Sequence, residues 1–276
     1  MSGTLYIVAT PIGNLADASP RALEVLAAAD LVACEDTRTS RTLFARHGIR
    51  ARTVALHAHN ERAVAARLLA ALRSGKNVAL VCDAGTPAVS DPGALVVAAA
   101  HREGVRVIPI PGPSAATAAY SAAGFPHGRF LFAGFLPSPP GKALDALDVP
   151  YPVIVFEAPH RIAATLEALL ARFGPEREIA IARELTKKFE EIARMRLADA
   201  PAWLAARPER SQGEFVLVLG PGTEQKPAVP VPASETVLAL LLESLAPAEA
   251  ARLAARITGA PRNVLYRAAL ARARKK

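Results

Sequence analysis

The chain has 276 residues, 51% of them hydrophobic and 21% charged, and its 33 Lys and Arg outnumber 25 Asp and Glu for a net charge of +8. That length predicts two domains and a small appendage, and that apolar content excludes a disordered polar chain. No apolar run approaches the ~18 residues of a bilayer span, which excludes a helical membrane protein.

The start, MSGTLYIVATPIG, has neither a basic leader nor a cleavage signature and reads as a first strand. Cys34 and Cys82 lie far apart, each in an apolar run, without metal or redox spacing, so a reducing cytoplasmic setting is expected. The basic excess favours a polyanion partner, although Ala and Arg crowd the whole sequence and a compositional bias would look the same.

Residues 5–10 (LYIVAT) predict a first strand, followed by a helix near 20–29 and a strand at 31–34. A helix at 61–73, a strand at 78–82, a helix near 94–102 and a strand at 105–110 continue the alternation. Apolar strands separated by helices describe a parallel sheet, so residues 1–123 are expected to form an α/β domain. A joint, GFPHG, opens a second α/β domain over 124–220, with strands at 129–134, 152–157, 178–184, 191–198 and 214–220. Only the helix at 161–173 clearly separates these strands, which predicts a mixed sheet. Residues 221–232 are a Pro-rich linker. Residues 233–276 form a helical tail, with helices at 235–245, 247–257 and 261–273, whose Gly turn and following Pro resemble a helix-turn-helix.

Three loops of the first domain are rich in Gly, Pro and small hydroxyl residues: ATPIGN (9–14), DAGTPAVSDPG (83–93) and PGPSA (111–115). Each follows a strand, so all three should open on the sheet edge where ligands gather in open α/β folds. Gly85 lets the backbone pass close to a ligand and Pro87 fixes the turn. Thr86, Ser90 and Ser114 offer hydroxyls, and Asp83 accepts from an amine or a ribose hydroxyl. Any one loop is ordinary turn chemistry, with Ser90-Asp91-Pro92 as a helix start; three on one edge make a small-molecule site. Gly85→Val is then expected to abolish binding while leaving thermal unfolding largely unchanged.

P-loop, dinucleotide and G-x-S-x-G fingerprints are absent. His57 and His59 could ligate a metal with Glu61, but a polar loop entering the helix at Asn60 explains them more cheaply, and no metal is expected. What remains is a cleft of main chain and hydroxyls suited to an amino-acid-plus-nucleoside ligand with little phosphate.

In order along the chain, ATPIGNL, CEDTR (34–38), HNE (59–61), DAGTPAVSDPG, PGPSA, FEAPHR (156–161) and REL-K (183–187) resemble the bacterial ribosomal RNA small subunit methyltransferase I family, from about Leu5 to Ala268. CEDTR and EAPHR resemble this branch, whereas G-T-P and P-G-P-S resemble the wider tetrapyrrole methylases. The resemblance implies a tetrapyrrole-methylase-like (class III methyltransferase) fold and 2′-O-methylation of a cytidine of 16S rRNA near the decoding centre. It also implies S-adenosylmethionine bound between the two α/β domains, and a homodimer. It places the cofactor against Thr10, Pro11, Gly85, Thr86, Val89, Ser114 and Ala115, with Ala158 and Leu185 closing from the second domain. One departure is Ser211-Gln212-Gly213-Glu214, where a Lys-Gly-Glu is expected; it puts a basic role at Gln212 in doubt.

A ribose hydroxyl is a poor nucleophile, so a proton acceptor or an oxygen-stabilising cation is expected, in a dry cleft that holds the reacting atoms in line. The candidates are Glu157, Arg161, Arg183, Glu184, Lys187 and Lys188, with Asp36 and Arg38 from the first domain. Glu157 is a base or substrate anchor, or equally a structural ion pair with an arginine. Lys187 is a base only if burial lowers its pKa, and otherwise a phosphate contact. His160 has the right ordinary pKa, but its neighbours read as packing at a helix start. CEDTRTSR (34–41) reads as a loop facing RNA or a dimer partner, in which Arg38 and Arg41 would engage successive phosphates, and Lys188 is a further RNA candidate. A basic face of Arg267, Arg272, Arg274, Lys275 and Lys276 would add non-specific contact. Competing readings are methylation of a tetrapyrrole carbon and a non-enzymatic RNA-binding regulator built on the tail.

Overall fold

The computed structural model describes residues 2–222 and 234–273, the last three by backbone alone. The first half alternates β1 (Thr4–Val8), α1 (Pro20–Ala28), β2 (Leu31–Cys34), α2 (Thr37–Arg46), β3 (Thr53–Ala55), α3 (Glu61–Arg73), β4 (Val78–Val81), α4 (Ala94–Arg102), β5 (Arg106–Ile110) and α5 (Ala115–Ala123). Its sheet is parallel throughout, in the order β3-β2-β4-β1-β5. Every residue of β2 and β4 is buried, because helices cover both faces. Leu5, Ala33, Val78 and Leu80 face Leu68 and Leu72 of α3 and Val96 of α4, while Val8, Val32, Ala79 and Val81 face Leu26 of α1 and Leu43 and Phe44 of α2. The edge strand β3 was not expected from the sequence; only its middle residue, Val54, is even partly buried.

The second half holds β6 (Leu131–Phe135), β7 (Val153–Glu157), α6 (Ile162–Phe173), β8 (Glu178–Arg183), β9 (Glu191–Arg196), α7 (Ala200–Ala205) and β10 (Phe215–Leu219). Its sheet is mixed, as expected: the order is β6-β7-β10-β8-β9, with β6 and β7 parallel and the other pairs antiparallel. One face packs Val155, Ile181 and Leu217 on Ile162, Leu166 and Leu169 of α6. The other packs Ile154, Ala180, Ala182, Val216 and Val218 on Ala116, Ala119 and Ala123 of α5. A helix from the first half thus completes the core of the second. The two halves accordingly form one compact unit, residues 1–223, and a cut at 123 would separate α5 from the sheet it covers.

The tail is a separate unit of α8 (Ser234–Leu241), α9 (Pro247–Thr258) and α10 (Arg262–Ala273). It has its own core of Leu238, Ala250, Ala251, Ala254, Leu265 and Ala269, and α9 turns into α10 at Gly259, φ 72°. The first tail helix ends at Leu241, short of the expected 245. Apart from Pro221 and Gly222, the linker lies outside the described residues, as do Arg274, Lys275 and Lys276. Among the described residues no helix is long and apolar enough to cross a membrane.

Candidate cofactor and active site

A cavity of about 370 Å³ opens where the loops after β1, β4 and β5 meet the ends of β6, β7, β8 and β10. That volume suits one small molecule. Asp83, Gly85, Thr86, Val89, Ser90, Ser114, Ala115, Ala158 and Leu185 line it, so nine of the residues expected against the cofactor share one space. Thr10 and Pro11 do not. Thr10 is buried, with its hydroxyl donating to the Cys82 carbonyl at 3.1 Å and its backbone exchanging two hydrogen bonds with Gly85. It ties the first loop to the second instead of facing the cavity, where Ile12 stands in its place.

The loop 83–93 is held in costly backbone conformations. Ala88 and Ser90 have φ of 65° and 66°, beside Gly85 at 87° and Gly93 at 129°. Gly85 is therefore required by its conformation, and the expectation that valine there leaves stability largely unchanged is corrected: a β-branched residue in this region is strained. The loop's far end is fixed by Glu61, whose carboxylate accepts from the N–H groups of Gly93 and Leu95, each at 2.9 Å. Glu61 is thus the cap of α4, which begins at Ala94 as the expected helix near 94–102 does, while the alternative start at Ser90-Asp91-Pro92 is not used. Glu61 being committed there, His57 and His59 are left as exposed rings 6.1 Å apart.

One wall is acidic. Glu35, Asp83 and Asp91 line it, with the Asp83 carboxylate accepting from Asp36 N–H at 3.0 Å and Glu35 from Asp83 N–H at 3.2 Å. Desolvation and mutual repulsion raise all three carboxyls above their ordinary range. Burial also pushes the Cys34 thiol up to about 11 and Cys82 upward, so neither is a thiolate. The lining also includes an apolar set: Ile12, Ala115, Phe135, Phe156, Leu185 and Val216.

Glu157 reaches the cavity but is 2% exposed and fully engaged. It accepts from Ala158 N–H at 2.8 Å and the Thr165 hydroxyl at 2.6 Å, and pairs with Arg161 Nε at 3.1 Å. Its geometry is that of the structural ion pair. Arg161 does not line the cavity; its Nη2 donates to the carbonyls of Leu136 and Pro137 at 2.7 and 3.2 Å. Lys187 also stands outside the lining, bridging Glu214 at 2.9 Å and Glu184 at 3.1 Å. Desolvation opposes its charge, but the bonds to Glu214 and Glu184 outweigh it and raise the pKa, so Lys187 is a cation and not a base. Arg183 is buried, donating to the Gln212 carbonyl at 2.6 Å. Position 212 thus contributes its backbone, while the glutamine side chain is exposed. His160 is exposed and outside the cavity.

Residues 4–201 match the family of Tetrapyrrole (Corrin/Porphyrin) Methylases, and residues 228–273 match the RsmI C-terminal HTH domain. A Mesorhizobium japonicum protein named ribosomal RNA small subunit methyltransferase I is 51% identical over 95% of this chain and 90% of its own. The chain belongs to the ribosomal RNA small subunit methyltransferase I family. A second member of that family, from Xylella fastidiosa, is 48% identical over 96% of this chain and 98% of its own. The fold is also that of a uroporphyrin-III C-methyltransferase from Thermus thermophilus solved with S-adenosylhomocysteine. That structure has a TM-score of 0.56 and 20% identity, and the match covers 79% of this chain and 97% of that one. As a member of the methyltransferase I family the chain is an S-adenosylmethionine-dependent methyltransferase. The residues present fit that cofactor: carboxylates oppose a cationic sulfonium and ammonium, and the apolar set suits a purine.

The basic residues singled out for RNA lie on several elements of the two units. Arg38 forms a bidentate pair with Asp36, whose carboxyl the Arg38 hydrogen bonds hold down at about 2, and its side chain is 85% exposed. Arg41 is exposed on α2, and Lys188 lies 5.4 Å over the ring of Phe189. Arg267 is exposed on α10, and Arg272 is placed on that helix by backbone alone.

Proposed function

We propose that this methyltransferase modifies the 2′-hydroxyl of a cytidine in 16S rRNA near the decoding centre. It acts in the cytoplasm as a homodimer on the 30S subunit. The observation that carries the reading is one cavity lined by acidic and apolar groups, in a chain that carries both the methylase unit and the helix-turn-helix unit of its family. The cofactor supplies a methyl group on a cationic sulfonium, which leaves as a neutral thioether.

Glu35, Asp83 and Asp91 attract that cation and offer the proton acceptor for the ribose hydroxyl; burial raises each above the ordinary carboxylate range and so makes it a stronger base. With Glu157 committed to three partners and Glu214 paired with Lys187, these are, among the described residues, the cavity carboxylates that form no ion pair, although Glu35 and Asp83 each accept one backbone N–H. Leu185, Val216 and Ala115 exclude water, and charge that is neutralised as the methyl moves reacts faster in a dry site.

Labelled cofactor incubated with 30S subunits lacking this modification tests the reading. Label on one cytidine ribose of 16S rRNA is expected. Label on a precorrin but not on the RNA would overturn it in favour of tetrapyrrole methylation.

A further inference from the structure

Phe135 lines the cavity yet is 57% exposed. An apolar ring kept in water costs free energy, and the surrounding structure is built to keep it there. The register of β6 against β7 shifts between Phe132 and Gly134, and such a bulge re-aims the side chain that follows. Gly134 has φ 65°, a left-handed conformation that favours glycine, and a Cβ on it would press on Ser90 Oγ at 3.1 Å. The next two carbonyls, of Leu136 and Pro137, are clasped by Arg161, which is itself oriented by the buried carboxylate of Glu157. The ring leans against Phe156 at 5.6 Å and 66°.

We propose that Phe135 is the platform on which a nucleobase of the RNA substrate stacks at the cavity mouth, with Glu157 and Arg161 as the residues that position it. This rests on the RNA reading above. Unpaired bases are recognised by stacking on aromatic rings, because every base presents a flat π face. A base fixed at the mouth also fixes its ribose beside the cavity, which is the positioning a transfer to a ribose oxygen requires. The apolar groups suited to enclosing a purine of the cofactor are the buried Leu185 and Val216, 9% and 6% exposed, and not this open ring. The role also accounts for an ion pair at the cavity whose carboxylate is already committed to three partners.

The test uses the full chain with Phe135→Leu, Phe135→Tyr, Arg161→Lys and the Phe135→Leu/Arg161→Lys double variant. It measures filter binding to unmethylated 30S subunits, KM and kcat for methyl transfer, and cofactor Kd by calorimetry. Phe135→Leu should weaken 30S binding and raise KM by roughly 5- to 150-fold, the loss that a missing base–aromatic stack produces. Cofactor Kd should not move, and Phe135→Tyr should restore binding. Arg161→Lys should weaken 30S binding in the same way and add little to Phe135→Leu. Unchanged 30S affinity in Phe135→Leu, leucine serving as well as tyrosine, or an equal loss of cofactor affinity would each overturn the proposal, the last by assigning the ring to the cofactor. Wild-type protein that binds 30S but transfers no methyl would sink the proposed function alone. Wild-type protein that does not bind 30S would sink both.

Discussion

Asp91 is half-buried beside Asp83, and desolvation first, then that neighbour's charge, raises its carboxyl above the ordinary 3.8. An acid whose pKa is higher folded than unfolded binds more protons in the native state between the two values, so stability falls as pH rises through that window. Above that window the cost is fully present. Asp91→Asn removes it, and because the group keeps contact with solvent the gain is held to about 1 kcal/mol, roughly 2–4 °C in Tm. The melting difference from wild type should shrink as pH is lowered through the raised pKa toward 3.8, while calorimetry at pH 7 shows weaker cofactor binding. A lower Tm at pH 7, or a difference that ignores pH, would mean that Asp91 stabilises the fold. Lys187 shows the opposite case: two carboxylates meet it, and its charge is retained despite desolvation.

The loop 83–93 depends on an acceptor contributed by another helix. Glu61, at the start of α3, caps α4 across the loop, and its two bonds go to backbone N–H groups that would otherwise be unpaired. Glu61→Ala should cost about 2–3 kcal/mol in urea unfolding, the range for losing hydrogen bonds to a charged acceptor and leaving donors unpaired. It should also weaken cofactor binding, since the cavity-lining part of the loop loses its far anchor. Stability equal to wild type would show that water replaces the cap. A local reading of Ser90-Asp91-Pro92 could not find this cap, because the capping residue lies outside the segment it caps. Strands were more legible: β2, β4 and β10 are unbroken apolar runs, and β7 and β8 are apolar but for charged ends, because helices bury both their faces, whereas β3 has three residues and little burial to mark it. The site divides the same way. Gly, Ser and Thr in loops announce a ligand, but Phe135, Phe156 and Val216 lie on strands, and nothing local tells a strand residue that its face opens on a cavity. Glu35, Asp91 and Glu214 were likewise missed, each next to a residue that drew more attention.

Over the whole molecule, 33 basic side chains against 25 acidic ones are split between two units with separate cores. The described lining of the cavity runs from Ile12 to Val216, inside the first unit. A chain ending at residue 223 should therefore fold and bind S-adenosylmethionine with an unchanged calorimetric Kd. Arg256, Arg262 and Arg267 of the tail, by contrast, are exposed, and on the proposed reading they would neutralise phosphates. Each phosphate that a shortened chain leaves unneutralised takes about 0.7 to 0.9 from the slope of log K against log salt. Full-length and shortened chains compared on 16S rRNA between 50 and 200 mM salt, the span over which roughly 10³–10⁵ in affinity disappears for a protein that neutralises many phosphates, should differ by roughly 2 to 3 in that slope. Equal slopes with equal affinity would assign RNA binding to the first unit and leave the tail's charge without an electrostatic role. A shortened chain that no longer binds cofactor would instead show that the tail supports the methylase unit.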